Sequence, residues 1–113
     1  MSERDKPLVW LHGEVKTPPF SRRSRLQAGW LLRHLQAGQS LQLPHCRSRP
    51  TIAPRCSELR IPDDRGTWRI IFRIDSDAVL ILDVFQKKSQ RTPRPVITRC
   101  RRRLSAYERD FES

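Results

Sequence analysis

The sequence is poor in acid, in cysteine and in long apolar runs, and each shortage excludes something. No apolar run approaches the roughly 18 residues that a membrane-spanning helix needs, which excludes an integral membrane protein. The first residues lack the apolar stretch of a secretory leader, so no signal peptide is expected. Cys46, Cys56 and Cys100 make an odd set at wide spacings with no C-x-x-C pair. They read as reduced thiols of a cytoplasmic protein, not as a disulfide frame or a zinc site. His45 stands beside Cys46 without a second ligand pair at useful spacing, so no metal is expected. Acidic residues number 12 against 23 Lys and Arg, for a formal charge of +11. What is present, 36% hydrophobic residues in 113, suffices for the core of one small domain spanning residues 1–113.

The basic excess is unevenly spread. Lys16 to Arg55 contains eight basic residues and no acid, and Lys87 to Arg103 contains eight more, again with no acid. Between them, residues 58–83 hold six acids and four arginines. Two acid-free blocks on the surface of one small domain concentrate a positive field, which points to a polyanionic partner, nucleic acid or acidic protein.

The periodicities outline the elements. Residues 7–12 (Pro-Leu-Val-Trp-Leu-His) suit a first strand. Thr17 followed by Pro18 and Pro19 predicts a helix start, and Ala28, Leu31, Leu32 and Leu35 mark its apolar face. Leu26 and Trp30 extend that face, Arg22, Arg23, Arg25 and Arg33 coat the rest, and Gly38 is the stop. Residues 39–56, with Pro44, Pro50 and Pro54, read as a long loop. Strands are predicted at 57–61, 67–74 and 78–85, joined by turns at 63–66 and 75–77. A three-residue loop at 75–77 pairs Ile70 with Leu82, Phe72 with Leu80 and Arg69 with Asp83. Thr92 as N-cap and Pro93 at the first helical position open a last helix, whose stripe is Val96, Cys100, Leu104, Tyr107 and Phe111. Trp10, Trp30 and Trp68 read as core. The predicted fold class is α+β: a small antiparallel sheet with an N-terminal helix or helical hairpin and a C-terminal helix, the helices on one face and an open, arginine-bearing face opposite.

Alternation projects Arg60, Arg69 and Arg73 from that open face, and Lys87 leaves the last strand with the parity of Asp83 and Phe85. Lys88 and Arg91 follow in the loop. Guanidinium and ammonium groups bind phosphate, and Phe85 at the edge suits stacking on a base.

Three strings occur in order: Glu58-Leu59-Arg60, Trp68-Arg69-Ile70-Ile71-Phe72, and Val84-Phe85-Gln86-Lys87-Lys88-Ser89-Gln90-Arg91-Thr92-Pro93. Together they resemble the signature of RelE/ParE/HigB-type toxins, in particular the phage-derived HigB-like branch, over residues 7–107. The resemblance implies a RelE-like fold and the toxin of a type II toxin–antitoxin system: a ribosome-dependent mRNA endonuclease (mRNA interferase). The implied partners are a helix-turn-helix antitoxin, mRNA and the ribosome, with no cofactor. Carried over by position, Arg60, Arg69, Lys87 and Lys88 are the candidate catalytic residues. Arg73, Phe85, Arg91 and Arg102 are the candidate RNA-binding residues. Phe72 stands where tyrosine is common and Arg91 where lysine is. No histidine follows the last strand, so a histidine general acid is not available there. The reaction implied is attack of an RNA 2′-OH on the adjacent phosphorus, with arginines stabilising the phosphorane and a lysine of lowered pKa moving the proton.

Plainer roles compete. Arg69 is placed to pair with Asp83, Arg60 with Glu58 or Asp64, and Arg73 to be solvated surface. Since Arg69 and Lys87 lie on the polar face, removing either is expected to leave the fold intact. A ParE-like gyrase poison acting by protein contact, and a non-enzymatic RNA- or protein-binding module, remain as alternative functions; the Lys87–Lys88 pair favours the endonuclease.

Overall fold

The described residues form five strands and two helices: β1 (Leu8–Trp10), α1 (Arg22–Gln36), β2 (Cys46–Ser48), β3 (Cys56–Asp63), β4 (Gly66–Ile74), β5 (Val79–Lys87) and α2 (Arg94–Glu112). The computed structural model describes residues 5–11, 20–64, 66–87 and 91–112, with 87, 111 and 112 described by backbone alone. The strands form one sheet in the order β1-β5-β4-β3-β2, antiparallel except for β1, which runs parallel to β5. The α+β class is as predicted.

Helix α1 starts at Arg22, later than the expected Thr17, which lies outside the described residues. Ser21 is the cap: its hydroxyl accepts from the Ser24 N–H at 3.1 Å, satisfying one of the orphan donors of the first turn. The other end is the predicted Gly38 stop. Gly38 takes a φ of 83°, its N–H donates to the Leu35 carbonyl and the Gln39 N–H donates to that of His34, which completes a Schellman motif. Ala28, Leu31, Leu32 and Leu35 are buried, as their spacing requires. Leu26 and Trp30 are not: they are 67% and 54% exposed, a correction to the wider face expected. The buried stripe of α1 is narrow because, among the described residues, it packs on a single sheet face.

The two helices do not share a face of the sheet. Alternation in the strands makes two apolar layers. Leu59, Ile61, Trp68, Ile70, Phe72, Val79 and Ile81 pack under α1. Cys56, Ile71, Leu80 and Leu82 pack under the α2 stripe of Val96, Cys100 and Leu104, with Tyr107 partly buried beside them. The face expected to be open is therefore covered by α2. The cause is Ile71, Leu80 and Leu82: three large apolar side chains on that face require a cover.

Three local expectations also change. Arg69 lies opposite Phe85, Ile70 opposite Val84 and Phe72 opposite Ile81, because the turn takes residues 75–78 where 75–77 were expected and because Leu82 is an extra residue at a β-bulge between Ile71 and Phe72. The 39–56 segment contains strand β2, an edge strand pairing Cys46, Arg47 and Ser48 with Leu59, Glu58 and Ser57. At the start of α2, the Pro93 carbonyl accepts from the Val96 and Ile97 N–H groups, while the Thr92 hydroxyl caps nothing among the described residues.

Candidate functional site

The register of β3, β4 and β5 aligns side chains in rows. Arg60, Arg69 and Phe85 make one row, Glu58, Ile71 and Asp83 the next row inward, and Thr67 pairs with Lys87 one row outward. The Arg60–Arg69–Phe85 row thus lies at the end of the sheet where β5 leaves for the start of α2.

Beneath the row sits Glu58, 0% exposed, which a short ladder of arginines surrounds. Arg69 Nη1 donates to Glu58 Oε1 at 2.8 Å, Arg49 Nη2 donates to the same oxygen at 3.2 Å, and Arg60 Nε lies 3.9 Å from it. A carboxylate taken out of water at this depth is stable only with such charge-assisted partners. About 10 Å away, two strand spacings across the sheet, Asp83 is the second anchor. Arg99 Nη2 meets its Oδ2 at 2.9 Å and Arg103 Nη1 its Oδ1 at 3.3 Å. Arg103 Nη1 also donates to the carbonyl of Leu82, the residue that the bulge leaves without a ladder partner. Among the described residues, five guanidiniums stand against two carboxylates, an excess of three positive charges. That excess, partly shielded from water, favours an anion.

Sequence-predicted residues fall on both sides of this description. Arg60 is in the row and one-fifth exposed, so its guanidinium reaches solvent while resting near Glu58, the partner anticipated for it. Arg69 is in the row but only 2% exposed, and its partner is Glu58, not Asp83; the shifted register puts Phe85 where Asp83 was expected. Phe85 is half-buried at the row's other end. Lys87 is placed by its backbone at the end of β5; its side chain, and all of Lys88, lie outside the described residues. Arg91 and Arg102 are exposed, one in the loop and one on α2, and neither is brought into the row.

Arg73 belongs elsewhere. Four residues along β4, about 13 Å from Arg69, it donates to Asp75 Oδ1 and Oδ2 at 2.8 and 3.0 Å and to Glu108 Oε1 at 2.8 Å. Burial works to lower its pKa, but the hydrogen bonds to Asp75 and Glu108 more than offset it and the pKa is raised. Its two carboxylates occupy the groups that a phosphate would use.

Glu58, Arg49, Arg99 and Arg103 were not singled out from the sequence as site residues. The signal for Arg99 and Arg103 was present, since an i, i+4 pair flanking the Cys100–Leu104 stripe must lie along one edge of the buried face. Arg49 had no local signal, because only the β2–β3 hairpin brings it back to Glu58. The thiols are no part of this chemistry: burial, with Asp83 nearby, pushes Cys100 up to about 12, and burial raises Cys46 and Cys56 as well. Among the described residues, no group of His, Cys, Asp and Glu is arranged to hold a metal ion.

Fold and site together define a small α+β domain compatible with the RelE-like fold, its cations gathered at one end of the sheet. The model of the family described as Phage derived protein Gp49-like (DUF891) matches residues 19–105, well over half of the chain. The chain belongs to that family, which is one of RelE/HigB-like toxins. No curated protein matches it. No helix among the described residues is long and apolar enough to cross a membrane.

Proposed function

We propose that the chain is the toxin of a type II toxin–antitoxin pair, of the HigB-like branch, and that it cleaves mRNA on the ribosome. The observation that carries this reading is the Arg60–Arg69–Phe85 row above buried Glu58, continuing to position 87 at the end of β5. RNA brings its own nucleophile: a 2′-OH attacks the neighbouring phosphorus, the P–O5′ bond breaks, and the products are a 2′,3′-cyclic phosphate and a 5′-OH. The protein must take the 2′ proton, protonate the leaving oxygen and stabilise the phosphorane. Arg60 is the partly exposed guanidinium of the row and serves the last role. Arg69 is a positioning residue, holding Glu58 so that Glu58 orients Arg60. Lys87 and Lys88 are the candidates for proton transfer, and Phe85 stacks on a base. Arg91 and Arg102 contact RNA phosphates of the ribosomal complex. The ribosome supplies in-line geometry for the mRNA, so the isolated protein is a poor nuclease. A helix-turn-helix antitoxin neutralises it.

Induction without an antitoxin tests the reading. Growth arrest with new 5′ ends inside coding regions, lost by roughly 100-fold in Arg60→Ala, is the expected result. Arrest with DNA damage and no new ends makes the protein a gyrase poison. Unimpaired growth makes it a binding module.

A further inference from the structure

The outer face of α1 carries features that the fold itself does not use. Leu26 and Trp30 lie one turn apart, more than half exposed, on a helix whose own core stripe is complete without them. The Trp30 ring lies against that of His34, one turn further, with centroids 3.9 Å apart and planes tilted at 49°, so the indole is held in place. Between Leu26 and Trp30 the helix has Gly29, where an added Cβ would meet only Arg33 Nη2, at 3.9 Å. Glycine in a helix interior is unfavourable, and among the described residues nothing but the tip of Arg33 approaches the space it leaves. Gly29 is thus a small-residue gap on the face that carries Leu26, Trp30 and Arg33. Around it stand Arg22, Arg23, Arg25 and Arg33, all exposed, on a helix with no acidic residue.

We infer that this face docks an acidic amphipathic α-helix of a partner protein, its apolar stripe on Leu26 and Trp30, one of its side chains in the Gly29 gap, and its flanking carboxylates on the four arginines. The inference deepens the reading above by giving the chemistry of the neutralising partner, and rests on that reading for the partner's role alone. Charge complementarity selects an acidic occupant. The apolar pair selects protein over nucleic acid: an aliphatic Leu26 contributes nothing to a phosphate backbone, and Trp30 already has His34 against its ring. Tryptophan and arginine around a small gap are also the residue types that dominate helix-sized interfaces. The face is well placed to affect the site. Beside it, a cleft of about 230 Å³ runs from Gln27 past Pro44 and His45 to Arg60, so a chain leaving the docked helix in that direction reaches the site row at Arg60.

The test uses the full chain and a synthetic 20-residue helical peptide with leucines at i, i+3, i+4 and i+7 and glutamates on the flanks. Its controls are a peptide of the same composition in scrambled order and a single-stranded RNA oligonucleotide. Calorimetry reads affinity, and no nuclease activity is needed, so failure here is separate from failure of the proposed reaction. The patterned peptide is expected to bind at least tenfold more tightly than the scrambled one. Leu26→Ala and Trp30→Ala are each expected to weaken it at least tenfold, with circular dichroism unchanged. Gly29→Leu is the sharper variant: it should raise the melting temperature, by removing the helix glycine, while weakening the peptide at least tenfold. Equal binding of the scrambled peptide overturns the inference. So do an intact affinity in Gly29→Leu, a dependence of RNA binding on Leu26 and Trp30, and self-association that Leu26→Glu abolishes while the peptide never binds.

Discussion

Arg69 and Arg73 share one strand, one face and near-complete burial, yet they belong to different machines. Around Arg69 the count among the described residues is five guanidiniums to two carboxylates. Around Arg73 it is two to two, since Arg55 approaches Asp75 at 3.8 Å while Arg73 takes both Asp75 and Glu108. The far end is thus a charge-balanced latch joining β4 to α2, and the near end keeps a cationic surplus beside a partly exposed Arg60 and a half-buried Phe85. Residue type and burial do not separate a binding arginine from a structural one; the local ratio of charges does.

The largest effect expected from breaking this contrast is at Glu58. Glu58→Gln leaves Arg69 buried without its countercharge and should cost about 3–5 kcal/mol, read as a loss of the urea midpoint. The double variant Glu58→Gln, Arg69→Met should recover most of that loss, because the uncompensated charge goes with the arginine. Recovery of nothing would mean that Glu58 matters mainly to Arg49. Next comes the pair Arg73→Ala and Arg60→Ala. The first should lower stability by about 1–3 kcal/mol through its lost charged hydrogen bonds and leave growth arrest intact at equal folded protein. The second should change stability by no more than about 1 kcal/mol and abolish the arrest. An exchange of these phenotypes would move the site to the other end of the strand.

The smallest effect is one of pH and belongs to the hairpin at the near end. Asp63 accepts from the Asp64 N–H, the Ser21 N–H and Trp68 Nε1, which hold its pKa at about 2 against an ordinary 3.8. The unfolded chain therefore takes up this proton at higher pH than the folded one. The contribution is complete above about pH 4 and lost as pH falls through about 2. In Asp63→Asn, urea midpoints should fall less steeply over that window; an unchanged slope would exclude Asp63 as a source of acid sensitivity.

Much of this was legible in the sequence, for reasons that also mark where reading stopped. Strong periodicity located α1, β3 to β5 and α2 to within a few residues, and Gly38 ended α1 as a glycine stop should. The stripe Val96, Cys100, Leu104 is buried as its spacing required. Parity correctly put Arg60, Arg69 and Arg73 on one face. It said nothing of what covers that face, so Arg69 was expected on an open surface and its loss expected to be harmless. Its burial against Glu58 reverses that expectation. Trp30 erred in the other direction. An aromatic at helical spacing reads as core, and only the position of the sheet beneath α1 reveals that it lies on the outer side.

The bulge at Leu82 has a consequence for where the site exists at all. Ile81 packs toward α1, and strict alternation from it would turn residues 83 and 85 the same way, into the Leu and Ile side chains of that layer. The additional residue slips the phase of the strand by one. Below the slip β5 serves the two apolar layers; above it Asp83 and Phe85 come out beside Arg69, and Arg103 from α2 fastens the splice at the Leu82 carbonyl. Were the same residues to alternate strictly through Leu82, with no slip, the carboxylate that holds Arg99 and Arg103 would face hydrocarbon and Phe85 would point away from the arginines. The cationic end of the sheet is, in this sense, the upper half of a strand running one step out of time with its lower half.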